Sequence, residues 1–583
     1  MNVRKIINDC WAAGLQKPRQ VIVATGFILL LAYVKFAAMP FLVPGTDWTR
    51  FPPYLALPTE GGFKFSSYFL LYVFLSINAV ALFGLYLFAL RSAGAAAGGP
   101  AGNPPHLRNG PVYGRSLVRV IVVFSVLFHL IMLATPFLLS TDIFDYIRHG
   151  RILAFYGENP LVIPATYFPH DPFFTAGGWV GTGSVYGSLH VYLMALLARV
   201  AGDSFTANFF IFKGFFIGLN LTNLWLIWKL ARRLKPGLEN KALVFYGWNP
   251  FILTFVVANA HNDILMLTLV LAGFLMYLEK RVVIGALFIT LATLVKFITL
   301  PILLIYLALA IRQQEGLSRR LGLGAGILAL CSAVSVLSYF PLWVGRETFY
   351  YLTTVGQKTN FTISMLIRDA AAGHIELSMS NTIVQGSLAG VLALYLLWHI
   401  AGVRHFGGML SAAAGVAFLT PFALFWFQPW YLTLALGLIA LRPHRLMLVA
   451  ALAFSFSVTF FDSFWWNAPV SMDIQKPLRV LVVFGPPLAL LAVLKGRESL
   501  PRAWSRLMAW TLEQQSTRAR VLRRAGPDPA AINICDPTPL RLAVEISVLV
   551  TAAMVPMAVV IATSPQLRSL AELVLLKLRL LAG

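Results

Sequence analysis

Of the 583 residues, 58% are hydrophobic and only 12% are charged, and the mean hydropathy is +0.75. An average soluble domain carries about 25% charged residues, so the composition excludes a water-soluble globular chain, and the lack of short alternating strands excludes a closed membrane β-barrel. The net charge of +23 does not point to nucleic acid, because the basic residues sit in short connections between apolar runs, the bias that orients helices in a bilayer.

About 20 apolar residues cross the hydrocarbon layer as a helix, and such runs recur from Val21 to Thr563. Spans at 21–39 and 66–90 come first, with Arg4, Lys5, Lys17 and Arg19 placing the N-terminus in the cytoplasm. The run Val21–Met39 has no small-residue cleavage motif beside it and reads as a retained span. A linker rich in Gly, Ala and Pro, Ala93–Pro105, precedes a third span at 118–139.

A long outer segment, 140–204, follows. Its apolar stretch 186–200 is expected to lie in the outer interface as an amphipathic or re-entrant helix. Counting it as a span would turn the next run, 205–231, outward and strand Lys229, Arg232, Arg233 and Lys235 on the wrong side. Spans at 242–259 and 264–279 come next. Lys280, Arg281 and Arg312 are all expected in the cytoplasm, yet the apolar chain between them is too short for two full crossings. It therefore reads as a short hairpin turning near Lys296–Phe297, its tip within the membrane or just at the outer interface, where the lysine is either a site held at depth or a side chain snorkelling to the interface.

Further spans fall near 321–344, 384–400, 408–425, 430–441, 446–461, 479–494 and 542–563, interrupted by a polar outer loop, 346–381, that holds Lys358, Arg368 and His374. The expected fold is an all-α integral membrane bundle of about 13–15 transmembrane helices with an outer interfacial loop. Three parts result: a two-span extension and linker (1–116), a transmembrane module (117–495), and a basic linker with one more span (496–583). Cys10, Cys331 and Cys535 are too scattered for a disulfide frame or a metal site.

Three clusters carry chemistry. Asp142 and Asp145 follow the third span directly, and on a helix their spacing puts both on one face, with Arg148 and His149 one turn on. A carboxylate there can take a proton from a hydroxyl, although Ser140, Thr141 or Asp142 can equally cap the helix. His261-Asn262-Asp263, after Trp248-Asn249-Pro250, falls at an outer turn; Asn and Asp also suit turns for local reasons, and one His with one Asp is a weak metal signal. Trp426-Phe-Gln-Pro-Trp-Tyr431 closes the set, either as part of an aromatic belt or, through Gln428, Trp430 and Tyr431, as a carbohydrate-lining surface. Asp462 with Trp465–Trp466 reads as belt.

In this order, Thr141–Pro160, Tyr186-Gly-Ser-Leu189, Trp248-Asn-Pro250, His261-Asn-Asp263, Val295-Lys-Phe297 and Gln428-Pro-Trp-Tyr431 resemble the GT-C glycosyltransferases. The set is most similar to the bacterial polyprenol-phosphate-mannose α-mannosyltransferases, with a looser likeness to the first mannosyltransferase of GPI-anchor assembly. The resemblance covers about residues 118–495, although three spans precede the outer loop where many members have one. It implies a polyprenyl-phosphate sugar donor, a glycan or glycolipid acceptor, inverting transfer and a carboxylate base in the first outer loop, which falls on Asp142 with Asp145 beside it.

The donor phosphate would meet Lys296 first, then Arg148, Arg151 and Arg368. The substrates would meet His149, Asn159, Tyr186, His190, His261, Asn262, Asp263, Gln428, Trp430 and Tyr431. No cofactor is required; a divalent cation on Asp142, Asp145 and Asp263 is the minor alternative. The resemblance implies a multi-pass protein of the plasma membrane, among its lipids, with an extracytoplasmic site. A secondary transporter is the rival from another class, favouring broken helices at the midplane; a lipid-linked glycan flippase or ligase is the nearer one.

Overall fold

The computed structural model describes residues 18–38, 65–95, 111–135, 139–357, 362–372, 375–465 and 477–494. The expected span at 542–563 and the basic linker before it lie outside the described residues. Among those described, helix is the regular structure and there is no extended strand.

Helices α1 (Pro18–Ala38), α2 (Phe65–Ala95) and α3 (Pro111–Ala134) pack together at the start of the chain. Then come α4 (Asp142–Tyr156) and α5 (Ser188–Ala201), joined by a long loop, and α6 (Phe205–Leu234). Ser204 caps α6 by accepting from the Ala207 amide at 3.2 Å, and Arg232 and Arg233 occupy its last turn. Both ends thus complement the helix dipole and its unpaired backbone groups. At 14 residues α5 spans about 21 Å, too short to cross unaided, and it lies against α4.

The stretch expected as one span over 242–259 is broken. α7 (Glu239–Gly247) stops before Trp248 and Asn249, and Ile252–Val257 forms a π-helix. Its wide turn is seen in the bonds from Ala258 N to Leu253 O (2.9 Å) and from His261 N to Val256 O (3.1 Å). Pro250 lacks an amide hydrogen and interrupts the α ladder here. Ala260 then takes a positive φ of 55°, and α8 (Asp263–Leu278) turns back.

A buried polar network holds this region. Tyr246 donates to Asn220 Oδ1 (2.7 Å), Asn220 meets His129 Nε2 (2.8 Å), and Trp248 Nε1 donates to Ser125 Oγ (3.1 Å). Paired polar groups are the form in which such side chains are tolerated among apolar helices, and this set ties α3, α6 and α7 together.

α9 (Val282–Thr293) and α10 (Leu300–Arg312) form the short hairpin expected from charge, meeting at Lys296 in extended backbone. α11 (Leu317–Tyr339) follows. The expected polar loop 346–381 is partly helical, as α12 (Tyr350–Gln357) and α13 (Ile363–Ala372). The remainder is α14 (Leu377–Gly402), α15 (Phe406–Ala423), α16 (Leu432–Leu441), α17 (Arg445–Trp465) and a helix over Pro477–Leu494. Among the described residues, eight helices are long and apolar enough to cross a membrane, and six more apolar helices are shorter. The expected spans at 264–279, 430–441 and 446–461 and both arms of the expected hairpin are among the shorter ones. The chain is a multi-pass membrane protein.

Candidate active site

The long loop between α4 and α5 is fastened to the Lys296 hairpin by backbone. Gly187 N donates to Val295 O (3.0 Å) and Leu189 N to Leu294 O (3.1 Å). A Cβ at Gly187 would stand 2.1 Å from Leu294 O, so only glycine allows this approach. Gly150 does the same between α4 and α5, where a Cβ would meet Met194 O at 2.3 Å. These contacts set α4 against the hairpin across a cavity of about 420 Å³.

Asp142, Asp145, His149, Tyr186, Lys296, Gln428, Trp430 and Tyr431 all line that cavity. Segments far apart in sequence are brought to one chamber, within the size range of small-molecule sites. Asp142 opens α4, and its amide donates to Ser140 Oγ (3.2 Å), while Thr141 at the N-cap makes no side-chain cap. The Asp142 carboxylate is therefore not consumed as a helix cap. It is 16% exposed and faces His261 Nδ1 at 3.8 Å.

α4 lies outside the spanning helices. Burial first, and then the negative charge of Asp145, push the Asp142 carboxyl up to about 7, against the opposing pull of Ser140 and Lys296. Burial raises Asp145 to about 6, held back by the Arg148 guanidinium that pairs with it. Burial lowers His149 to about 4, so its ring is neutral near pH 7. With Nε2 facing Thr182 O at 3.3 Å, the neutral ring donates there and Nδ1 is an acceptor. That Nδ1 has no hydrogen-bond partner among the described residues.

Opposite, Lys296 Nζ donates to both oxygens of Asp263, at 3.0 and 2.9 Å, and lies 4.5 Å from the Tyr431 ring centroid. Beneath, the buried His261 ring stacks on Trp430 at 3.7 Å with an interplanar angle of 18°. His190 is fully buried between Tyr146 and Tyr186, at 4.9 and 4.6 Å. Asn262 is also buried. His190, His261, Asn262 and Asp263 therefore stand behind the cavity lining.

Four further expected contacts do not line the cavity. Arg151 is consumed by Asp171 (2.8 Å), Asp203 (2.7 Å) and Gly202 O (3.0 Å), which lock the middle of the loop and the turn after α5 to α4. Arg368 pairs with its neighbour Asp369. Asn159 donates to Leu342 O (2.7 Å) and accepts from Leu161 N (3.0 Å), a turn role. Arg148 stays near Asp142, but buried and tied to Asp145. Sequence reasoning missed Trp179, Thr182, Leu352 and Leu392, which also line the cavity. Trp179 stands out as a lone tryptophan in the Gly177-Gly-Trp179 loop, whereas single leucines carry no signal of this kind. Among the described residues, no three His, Cys, Asp or Glu side chains gather as a metal ion would need.

Residues 70–312 match the family described as alpha-(1->6)-mannopyranosyltransferase, N-terminal domain. The matched segment is less than half of this multi-pass membrane protein. The chain is also similar to proteins named as mannosyltransferases. It is 29% identical over 175 residues to alpha-(1->6)-mannopyranosyltransferase A of Corynebacterium glutamicum, a match covering 28% of this chain and 34% of that protein. To the protein of the same name from Mycobacterium tuberculosis it is 24% identical over 351 residues, covering 51% of this chain and 67% of that one. The chain thus spans about a third of the Corynebacterium relative. The oligosaccharyltransferase of Archaeoglobus fulgidus, solved with a tethered acceptor peptide, is 13% identical with a TM-score of 0.29, covering 66% of this chain and 55% of that one. That likeness is too loose to define a fold.

Proposed function

We propose that this chain moves a sugar, mannose by the names of its relatives, from a polyprenyl-phosphate donor to an acceptor hydroxyl at the extracytoplasmic face of the plasma membrane. Asp142 takes the hydroxyl proton as the oxygen attacks the anomeric carbon from the side opposite the phosphate. The bond from that carbon to the phosphate oxygen breaks, the configuration inverts, and polyprenyl phosphate departs. The transition state is oxocarbenium-like, as in glycoside hydrolysis. Negative charge grows on the leaving phosphate and calls for a fixed cation nearby. Lys296 fits that need, because two of its three N–H groups are held by Asp263 and one is left for a phosphate oxygen.

The observation that carries this reading is the shared chamber: Asp142, with its carboxyl raised to about 7, and Lys296 line one cavity walled by Tyr186, Trp430 and Tyr431. A group that titrates near the working pH suits general-base catalysis. The test is the purified full chain in proteoliposomes with radiolabelled polyprenyl-phosphate mannose and a glycolipid acceptor. Label should pass to the acceptor without an ion gradient. Uptake driven by a gradient, with no new glycosidic bond, would instead support the transporter.

A further inference from the structure

The cavity lining is of two kinds. In one part, Leu352 of α12 and Leu392 of α14 add to Phe297, Ile298 and Pro301. Leu392 lies about 22 Å along α14, and only 6% of the apolar window of that helix is buried, with Val391 at 65% and Leu394 at 69% exposure beside it. These apolar residues suit a lipid tail. The loop after α4 contributes Trp179, Thr182 and Gly183, which with Trp426 complete the wall.

Here the side chains change in kind. Trp179 is 36% exposed, and its ring meets that of Trp426 at 5.8 Å and 73°, so the two rings form a corner. The corner is held in register with the chemistry, because the Trp179 amide hydrogen-bonds the Asp145 carboxylate. His149, one turn along α4 from Asp145, lines the same cavity, and its buried Nδ1 acceptor has no hydrogen-bond partner among the described residues. Thr182 accepts from the other ring nitrogen, which fixes that tautomer. A ligand that presents an apolar ring face and a hydroxyl donor together satisfies both features, and a pyranose does so.

We propose that Trp179, Trp426 and His149 form the acceptor subsite, binding the sugar ring that carries the attacking hydroxyl. The ring lies against the indole corner and one hydroxyl donates to His149 Nδ1. The donor lipid lies along Leu352 and Leu392 and the carbohydrate acceptor along the indole corner, so the two substrates meet at Asp142. The assignment of this subsite to the acceptor rests on the glycosyl-transfer reading above, whereas sugar binding at the corner does not need turnover.

The experiment is saturation-transfer NMR on the full chain in nanodiscs, without donor, using short manno-, gluco- and arabino-oligosaccharides as probes. The wild type should bind at least one, and Trp179→Ala and Trp426→Ala should each weaken that binding about three- to tenfold, with Trp179→Phe restoring most of it. His149→Phe should weaken binding while keeping an aromatic of similar size. In transfer assays the same variants should raise the acceptor KM and leave the donor KM unchanged. Binding of none of the three sugars by the wild type overturns the subsite, and so does equal binding by wild type and both alanine variants. A raised donor KM with unchanged acceptor KM gives the corner to the donor and overturns it too. Should Trp179→Ala melt early, Trp179→Phe and Trp426→Ala carry the comparison. Intact sugar binding with no transfer would sink the chemistry and spare the subsite.

Discussion

Lys296 gives two of its ammonium hydrogens to one carboxylate, that of Asp263, at 3.0 and 2.9 Å. The side chains are 14% and 1% exposed, so the pair is desolvated, and removal of one partner from such a pair costs about 3–5 kcal/mol. Lys296→Ala is therefore expected to lower the melting temperature as well as donor use. The double variant Lys296→Ala/Asp263→Asn removes the orphaned charge and should recover stability without recovering donor KM. Recovery of both would make the lysine purely structural.

Asp142→Asn keeps shape and loses the proton acceptor. General-base catalysis contributes about 10²–10⁴-fold, so turnover should fall at least about 100-fold. The carboxyl sits at about 7 in the folded chain, above the ordinary 3.8. Ionisation therefore costs the folded state, and whatever stability the neutral acid lends is lost as pH rises from about 4 through 7. Asp142→Asn should thus melt at or above the wild type at pH 7.5, while a less stable variant would contradict the burial argument.

The same group sets a pH profile. A protonated Asp142 cannot accept, so kcat/KM should fall as pH drops below about 7. Asp145 raises Asp142 by its like charge, and its loss also frees the Arg148 guanidinium. Both changes favour the Asp142 anion, so in Asp145→Asn the acid limb should move to lower pH. A limb that stays in place would remove Asp145 from the electrostatics of the base.

Gly187→Ala drives a methyl group into the Leu294 carbonyl at 2.1 Å. The loop and the hairpin must part, so kcat should drop although no reacting group is altered. Proteolysis of the 157–187 loop, followed over time, should speed up in step.

Metal removal is expected to leave activity intact. Asp145 is compensated by Arg148 and Asp263 by Lys296, which leaves Asp142 without neighbouring free carboxylates to share a cation. Transfer measured in excess EDTA checks this, and loss of activity restored by Mg²⁺ or Mn²⁺ would reverse it.

The helical architecture was legible from hydropathy alone, because backbone groups in hydrocarbon must be satisfied within each segment. Charge parity also located the Lys296 hairpin and marked 186–200 as something other than a full span, in keeping with the short α5. The meeting of Asp142, Lys296 and Gln428 in one cavity followed from motif order and a shared face. Arg151 misled because a guanidinium looks alike in sequence whether it awaits a phosphate or is held by Asp171 and Asp203. Those two partners lie 20 and 52 residues away, a separation no local pattern reports. Trp179 was overlooked for a related reason: its value comes from Trp426, a contact made only after folding.

The π-helix at 252–257 makes the aim of His261, Asn262 and Asp263 depend on a residue count. A π turn holds one residue more than an α turn, so a single deletion within it can be absorbed by rewinding to α geometry, whereas a second deletion finds no such slack and, at about 100° per residue, swings the following turn by roughly that angle. Asp263 would then leave Lys296 and His261 would leave Trp430, with every named side chain still present. In this stretch, chain length is as much a part of the chemistry as residue identity, and a chimaera that shortens it by more than that one residue would lose the site without changing a single functional group.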